Sequence, residues 1–161
     1  MTRAPASMTS TIASASSAAE ALDFALRRGI VVVAAAGNQG AVGGSVITCH
    51  PWVIPVVAYD LRGRPMDLSN LGASIGRSGL GAPGEAVTSL GVTDPLTMGG
   101  TSAATPFVTG AVALTWSDFP DATAAEVRSA VTQAAAPRRT TIVPPLLNAW
   151  ASYQVMSKAR S

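Results

Sequence analysis

The sequence predicts an α/β fold with a mostly parallel sheet, and two observations carry that expectation. Apolar runs at residues 30–36 and 53–58 lack the alternation of a one-sided strand and read as strands buried on both faces. Around them lie capped segments whose apolar residues recur at helical spacing, and helix alternating with buried strand is the pattern of a layered α/β domain. At 161 residues the chain has the length of one ordinary domain.

Residues 1–16, rich in Ser, Thr and Ala, read as a linker. Ser17 and Glu20 then form a capping-box pattern ahead of Ala18, Leu22, Ala25 and Leu26. Arg27 and Arg28 suit the negative carboxyl end of this helix, Gly29 can close it, and Asp23 is spaced to pair with Arg27. In the second apolar run Pro55 favours a sheet edge or a bulge. Residues 60–84, with Pro65, Pro83 and many Gly and Ser, predict turns and short strands. A helix opens at Thr101 with Ala104, Val108, Ala111, Val112 and Thr115 on one face, and Pro106 is expected in its first turn. Thr123 and Glu126 make another capping box before Val127, Ala130, Val131 and Ala134; Pro137 stops that helix, and Arg138 and Arg139 read as a solvated turn. Residues 146–156 predict a closing helix and 157–161 a tail. Trp52, Trp116 and Trp150 read as core or rim aromatics.

Composition narrows the function. Hydrophobic residues at 48% argue against disorder, and charged residues are 12%, against roughly a quarter in typical domains. No stretch reaches the ~18 apolar residues of a membrane span. Eleven basic against nine acidic residues give no nucleic-acid footprint. One cysteine, Cys49, leaves no disulfide framework or multi-cysteine zinc site. GxxxxGK[ST] does not occur, and the one GxGxxG match, residues 79–84, lies in a stretch that reads as turns and opens no predicted helix; no cofactor is implied, and the lack of a signal-peptide apolar region leans toward the cytoplasm.

Two glycine-bearing segments sit where α/β proteins place chemistry, at a strand end and a helix start. AAAGN, residues 34–38, ends the first strand; GGTSAATP, residues 99–106, opens a helix. Ser102 would lie near free backbone N–H groups and the positive end of the helix dipole, and Asn38 could point its amide into the same crevice. By itself Ser102 reads more readily as a cap of the following helix, and Asn38 has a reading as a turn residue beside the functional one.

Taken together, GTSAATPFVTGAVAL (100–114), GIVVVAAAGN (29–38), LGAPG (80–84), AYD with SNLG (58–60 and 69–72) and FPDATAAEVRSAV (119–131) resemble, in order, the subtilisin-like serine peptidases called subtilases. The stretch 50–72 is further similar to the maturation peptidases of cyanobactin-type peptide clusters. The resemblance implies a partial subtilisin-like three-layer fold, with residues 17–156 forming the carboxyl-terminal portion of a peptidase domain that acts on peptide or protein substrates. It implies Ser102 as nucleophile, Asn38 and the Ser102 N–H as oxyanion donors, and Ala35 and Gly37 in the wall of the substrate pocket. Residues 9–11 would supply the opposite wall, and Thr101 and Pro106 are structural. Calcium is common in the family, but no acidic cluster here supports a site.

A serine peptidase also needs a His to take the proton and a carboxylate to orient that His, in subtilases in the order Asp, His, Ser. The single His, His50, follows Asn38, and Asp23 lies inside a helix. His50 therefore reads as a loop residue, and Cys49 beside it cannot share one site with it from a strand. The expectation is a chain inactive alone, either a truncated product or a half that docks with a separate segment carrying the Asp and His, with a non-catalytic peptide-binding or scaffold domain as the alternative. It carries the further expectation of an exposed apolar edge or face where the absent portion would pack.

Overall fold

The computed structural model describes residues 6–134 and 141–160, with side chains from residue 16 onward. Its first helix, α1 (Ala6–Arg27), begins well before Ser17. Met8, Ile12, Ala15, Ala19, Leu22 and Leu26 recur every three or four residues, so one helical period runs through the stretch that reads as a linker. The Ser16 hydroxyl donates to Glu20 Oε1 across one turn (3.3 Å), and Ser17 lies inside the helix instead of capping it. The exit is as expected. Gly29 takes a positive φ of 65°, its N–H bonds the Leu26 carbonyl and the Ile30 N–H reaches back to Ala25, a Schellman closure.

Three strands, β1 (Val33–Ala35), β2 (Ile54–Tyr59) and β3 (Leu80–Pro83), form a parallel sheet in the order β1-β2-β3. Every residue of β2 is buried, so Pro55 sits in the central strand and not at an edge. It is tolerated for a local reason. The Ile54 N–H faces Val32 on the β1 side, so residue 55 faces β3, and pairing with β3 starts only at Val56 with Leu80. No acceptor there requires the N–H that proline lacks. The run 30–36 is a strand only over Val33–Ala35 and is half-buried, since β1 is the outer strand of its sheet.

Between β1 and β2 lies one turn of helix, α2 (Val46–Cys49), capped by a reciprocal Ser45–Thr48 box. The region expected to hold only turns and short strands also contains α3 (Ala73–Ser78). This helix is six residues long and includes Gly76, whose missing side chain admits the Thr141 carbonyl. Such a short segment owes its helicity to tertiary contact and leaves little periodicity to read. A hairpin of β4 (Val87–Ser89) and β5 (Leu96–Met98) leads into α4 (Thr101–Asp118), followed by α5 (Ala124–Gln133) and α6 (Ala149–Ala159).

The predicted face of α4 is buried against all three strands. Pro106 is the sixth residue of the helix, beyond the first turn, and its missing N–H leaves the Ser102 carbonyl without its helical donor. The Thr123–Glu126 box caps α5 as predicted, while Pro137, Arg138 and Arg139 lie outside the described residues. Helix α6 begins at Ala149 behind an Asn148 cap, later than expected, because the preceding segment is held along β3: the Gly81 N–H bonds the Pro145 carbonyl and the Leu147 N–H the Gly81 carbonyl.

Strand β2 divides the core in two. Ile54, Val56 and Ala58 pack with Leu80, Val108, Val112, Val127 and Met156 beneath α4, α5 and α6. Val57 and Tyr59 face the other way, with Ala36 and Ile75 under α3. The result is three layers, helix, sheet and helix. Trp52 and Trp116 anchor rims of the first layer through indole bonds to the Ile30 and Ala122 carbonyls, and Trp150 is exposed and stacked on Tyr153. Among the described residues no helix is long and apolar enough to cross a membrane.

Candidate active site

The carboxyl end of β1 and the amino end of α4 meet on one side of the sheet, and two glycines shape the meeting. Gly37 turns the chain out of β1 with φ 108°, and a Cβ there would overlap the Asn70 amide. Gly100 turns the chain into α4 with φ 92°, and a Cβ there would stand 2.9 Å from Asn38 Oδ1. Gly84 abuts Gly100 from behind, accepting its N–H at 2.7 Å. These close approaches give a physical meaning to the glycines of the GN, APG and GGTS segments.

Thr101 joins the two elements. It is fully buried, and both its backbone N–H and its hydroxyl donate to Asn38 Oδ1, each at 2.9 Å. The same hydroxyl accepts the Gly37 N–H at 3.3 Å. Two donors on Oδ1 fix which end of the Asn38 amide faces Thr101, so the Nδ2 donor points away from it. Asn38 itself is exposed and available to a ligand.

The first turn of α4 accounts for its N–H groups one by one. That of Thr101 goes to Asn38, and those of Ala103 and Ala104 go to the Gly100 carbonyl. No acceptor among the described residues takes the Ser102 N–H, and the Ser102 side chain is exposed. The Ser102 N–H, the Asn38 amide held at the neighbouring Thr101 and the positive end of an 18-residue helix thus lie around one hydroxyl. Such an arrangement can stabilise a developing oxyanion. Ala35 and Gly37 are half-buried on the β1 side of this crevice, and residues 9–11 fall within α1, where side chains are not described.

Asn70 is a positioning residue that sequence reasoning missed. Its Oδ1 accepts the Gln39 and Ala41 N–H groups, its Nδ2 donates to Gln39 Oε1, and its own N–H bonds the Gly37 carbonyl. It thereby pins the loop that carries Asn38. The SNLG segment marked strand order, and an Asn amide bonding backbone groups across a loop was its one readable signal.

His50 is far from this crevice. It precedes β2, at the amino ends of the strands, whereas Asn38 and Ser102 lie beyond the carboxyl ends; a six-residue strand spans about 17–20 Å. Its Nδ1 accepts the Trp52 N–H at 3.2 Å, which leaves Nε2 as the donor to Asp23 Oδ1, also at 3.2 Å. Asp23 therefore pairs with His50 and not, as its spacing suggested, with Arg27. Cys49 turns toward the Ser74 hydroxyl, so the adjacent Cys49 and His50 diverge. No cluster of His, Cys, Asp and Glu among the described residues offers a cation such as calcium a donor set.

Fold and motif order define the class of protein. The chain matches the subtilase family over residues 4–150 and belongs to that family of serine proteases. It is 38% identical over 121 residues to subtilisin DY of Bacillus licheniformis, covering 72% of this chain and 43% of that protein. Among solved structures it is similar to the patellamide maturation protease PatA (TM-score 0.78, 30% identity, 87% of this chain and 56% of that one). It is also similar to the prenylagaramide maturation protease PagA (TM-score 0.77, 26% identity, 84% and 54%). The chain thus spans about half the length of the relatives it matches.

Proposed function

We propose that this chain supplies the nucleophile and oxyanion hole of a subtilase-type serine endopeptidase, and that the triad Asp and His come from polypeptide outside these 161 residues. Ser102 Oγ attacks the scissile carbonyl while its proton passes to the supplied His. The carbonyl oxygen, now negative, is held by Asn38 Nδ2 and the Ser102 N–H. The His then protonates the leaving amine, and water releases the acyl group by the reverse route. Ala35 and Gly37, small and half-buried, leave room for the substrate residue before the cut.

The observation that supports this reading best is the Thr101 clamp. It holds Asn38 Oδ1, which leaves the Nδ2 donor for a ligand, on the residue next to the one first-turn N–H of α4 that has no acceptor among the described residues. Without a base the hydroxyl is a poor nucleophile; in subtilisin, loss of the His alone costs about 10⁶ in turnover. The chain alone is therefore expected to react very slowly with a fluorophosphonate probe and to cleave no peptide above background. With an Asp- and His-bearing segment added, peptide turnover should appear, vanish in Ser102→Ala and fall about 10²–10³-fold in Asn38→Leu, the range known for the subtilisin oxyanion Asn. Turnover that survives Ser102→Ala sinks the proposal. Peptide binding with no covalent labelling under any condition points instead to a non-catalytic peptide-binding domain.

A further inference from the structure

Three aromatic rings form a ladder between the carboxyl end of α4 and helix α6. Phe119, the residue after α4, meets Tyr153 at 5.5 Å between ring centroids, and Tyr153 stacks on Trp150 at 5.3 Å with the planes 11° apart. The Phe119 end is closed by a guanidinium, that of Arg160, 6.0 Å from the ring centroid. The other end is open, because Trp150 is 66% exposed. Trp52 and Trp116 give their indole N–H groups to the Ile30 and Ala122 carbonyls, whereas the Trp150 N–H has no acceptor among the described residues. Tyr153 and the rest of α6 lie beyond residue 150, where the match to the subtilase family ends, so the family does not account for the ladder.

Trp150 and Tyr153 line a cavity of about 470 Å³ whose apolar lining is completed by Ala111, Leu114 and Ala149 and whose one charged lining residue is Asp118. Asp118 is the last residue of α4 and its only charged one, placed where the helix dipole is already negative. No cation among the described residues pairs with it. We propose that this cavity binds the arginine side chain of a polypeptide. A stack of near-parallel rings is continued by a flat group, and a guanidinium is flat where an ammonium is not. The Asp118 carboxylate accepts the N–H fork of such a group, and the positive charge offsets the negative end of α4. The apolar lining suits the methylene stem of arginine, which a bare guanidinium ion lacks, and the Trp150 N–H is a donor for a backbone carbonyl beside that arginine. The chain makes the same pairing within itself, with Arg160 on the far end of the ladder and Arg128 over Trp52 at 5.4 Å. From Ser102 to Asp118 helix α4 rises about 24 Å, so the cavity is separate from the crevice of Asn38 and its occupant is independent of the chemistry there.

The test titrates N-acetyl-arginine N-methylamide into the 161-residue chain and follows indole and backbone signals in ¹⁵N spectra. The Trp150 indole signal, identified by its loss in Trp150→Phe, should move saturably, while those of Trp52 and Trp116, already bonded inside the molecule, should stay in place. Binding to the variants is read from the Tyr153 backbone amide. Asp118→Asn and Trp150→Ala should each weaken binding about fivefold or more, with Trp150→Phe between Trp150→Ala and wild type. Because Asp118 opposes the helix dipole, Asp118→Asn should leave Tm no lower than wild type, which separates lost binding from lost folding. The corresponding lysine and citrulline amides, and guanidinium chloride, should bind about fivefold or more weakly than the arginine amide. Equal binding of the citrulline amide means that charge is not recognised, and equal binding of the lysine amide means a general cation site; either overturns the proposal. Guanidinium chloride binding as well as the arginine amide, no saturable shift of the Trp150 signal, or undiminished binding by both Asp118→Asn and Trp150→Ala does so too.

Discussion

Replacing Thr101 by Val keeps the shape of a side chain with no exposed surface and removes one hydroxyl. That hydroxyl donates to Asn38 Oδ1 at 2.9 Å and accepts the Gly37 N–H at 3.3 Å. A hydrogen bond contributes about 0.5–1.5 kcal/mol net, and a buried group stranded without a partner costs about 1–3 kcal/mol. The stranded Gly37 N–H is only half-buried, so the lower part of that range applies. The expected loss is about 2 kcal/mol, or about 4–8 °C in Tm for a chain of this length. Asn38→Ala deletes the shared acceptor and also strands the Thr101 N–H, so it should cost a similar amount. Because both substitutions break one contact, the double variant should lose less than the sum, with a coupling of about 1 kcal/mol or more. Urea unfolding of the four proteins measures this, and Thr101→Ser, which keeps the hydroxyl, is the control. Additivity of the two substitutions within about 0.5 kcal/mol would refute the clamp.

Gly84→Ala would drive a Cβ into Ala58 and to 2.9 Å from the Gly100 carbonyl. It should cost about 1–3 kcal/mol by overpacking and move the Asn38 side-chain amide signal in an ¹⁵N spectrum; an unmoved signal and Tm would show that this packing does not set Gly100. Leu80→Ala opens a void in the layer between β3 and α4 and should cost about 2–5 kcal/mol, seen as a lower urea midpoint at constant slope. The Glu126 carboxyl is held below the usual glutamate range, first by the Thr123 N–H and then by the Thr123 hydroxyl. Its folded value is thus depressed below the unfolded one, so its contribution is present at neutral pH and is lost as the pH falls through the depressed value. Glu126→Gln should flatten that part of the fall in Tm on acidification, and an unchanged acid limb would argue against the cap.

Much of the layered fold was legible because its signals are local. The Thr123–Glu126 box, the Gly29 closure and the buried stripe of α4 each depend on residues within about three turns of one another. The misreadings arose where a distant partner decides. Pro55 is harmless in a central strand only because β3 starts one residue later, and α6 starts late only because residues before it are bonded along β3. Asp23 pairs with a His that lies outside its own helix. The candidate site divides in the same way. Motif order picked out Asn38 and Ser102, but the part played by Thr101 needs a contact across 63 residues and that of Asn70 a contact across 31.

The low charge fraction of 12% can be traced to particular elements. Charge is missing from β2, which is covered on both faces, and nearly missing from α4. In β2 the structure accounts for the absence, since every residue is buried. In α4 it accounts for one face only. A surface position costs little to make polar, so an uncharged helix with Phe107, Leu114 and an open Gly110 on its outer side is not what exposure to water would favour. The outer strand β1 repeats the pattern, with an unbroken apolar run that is only half-buried. Both surfaces flank the crevice of Asn38 and Ser102, so the positions where charge is missing without burial to account for it gather around the candidate site.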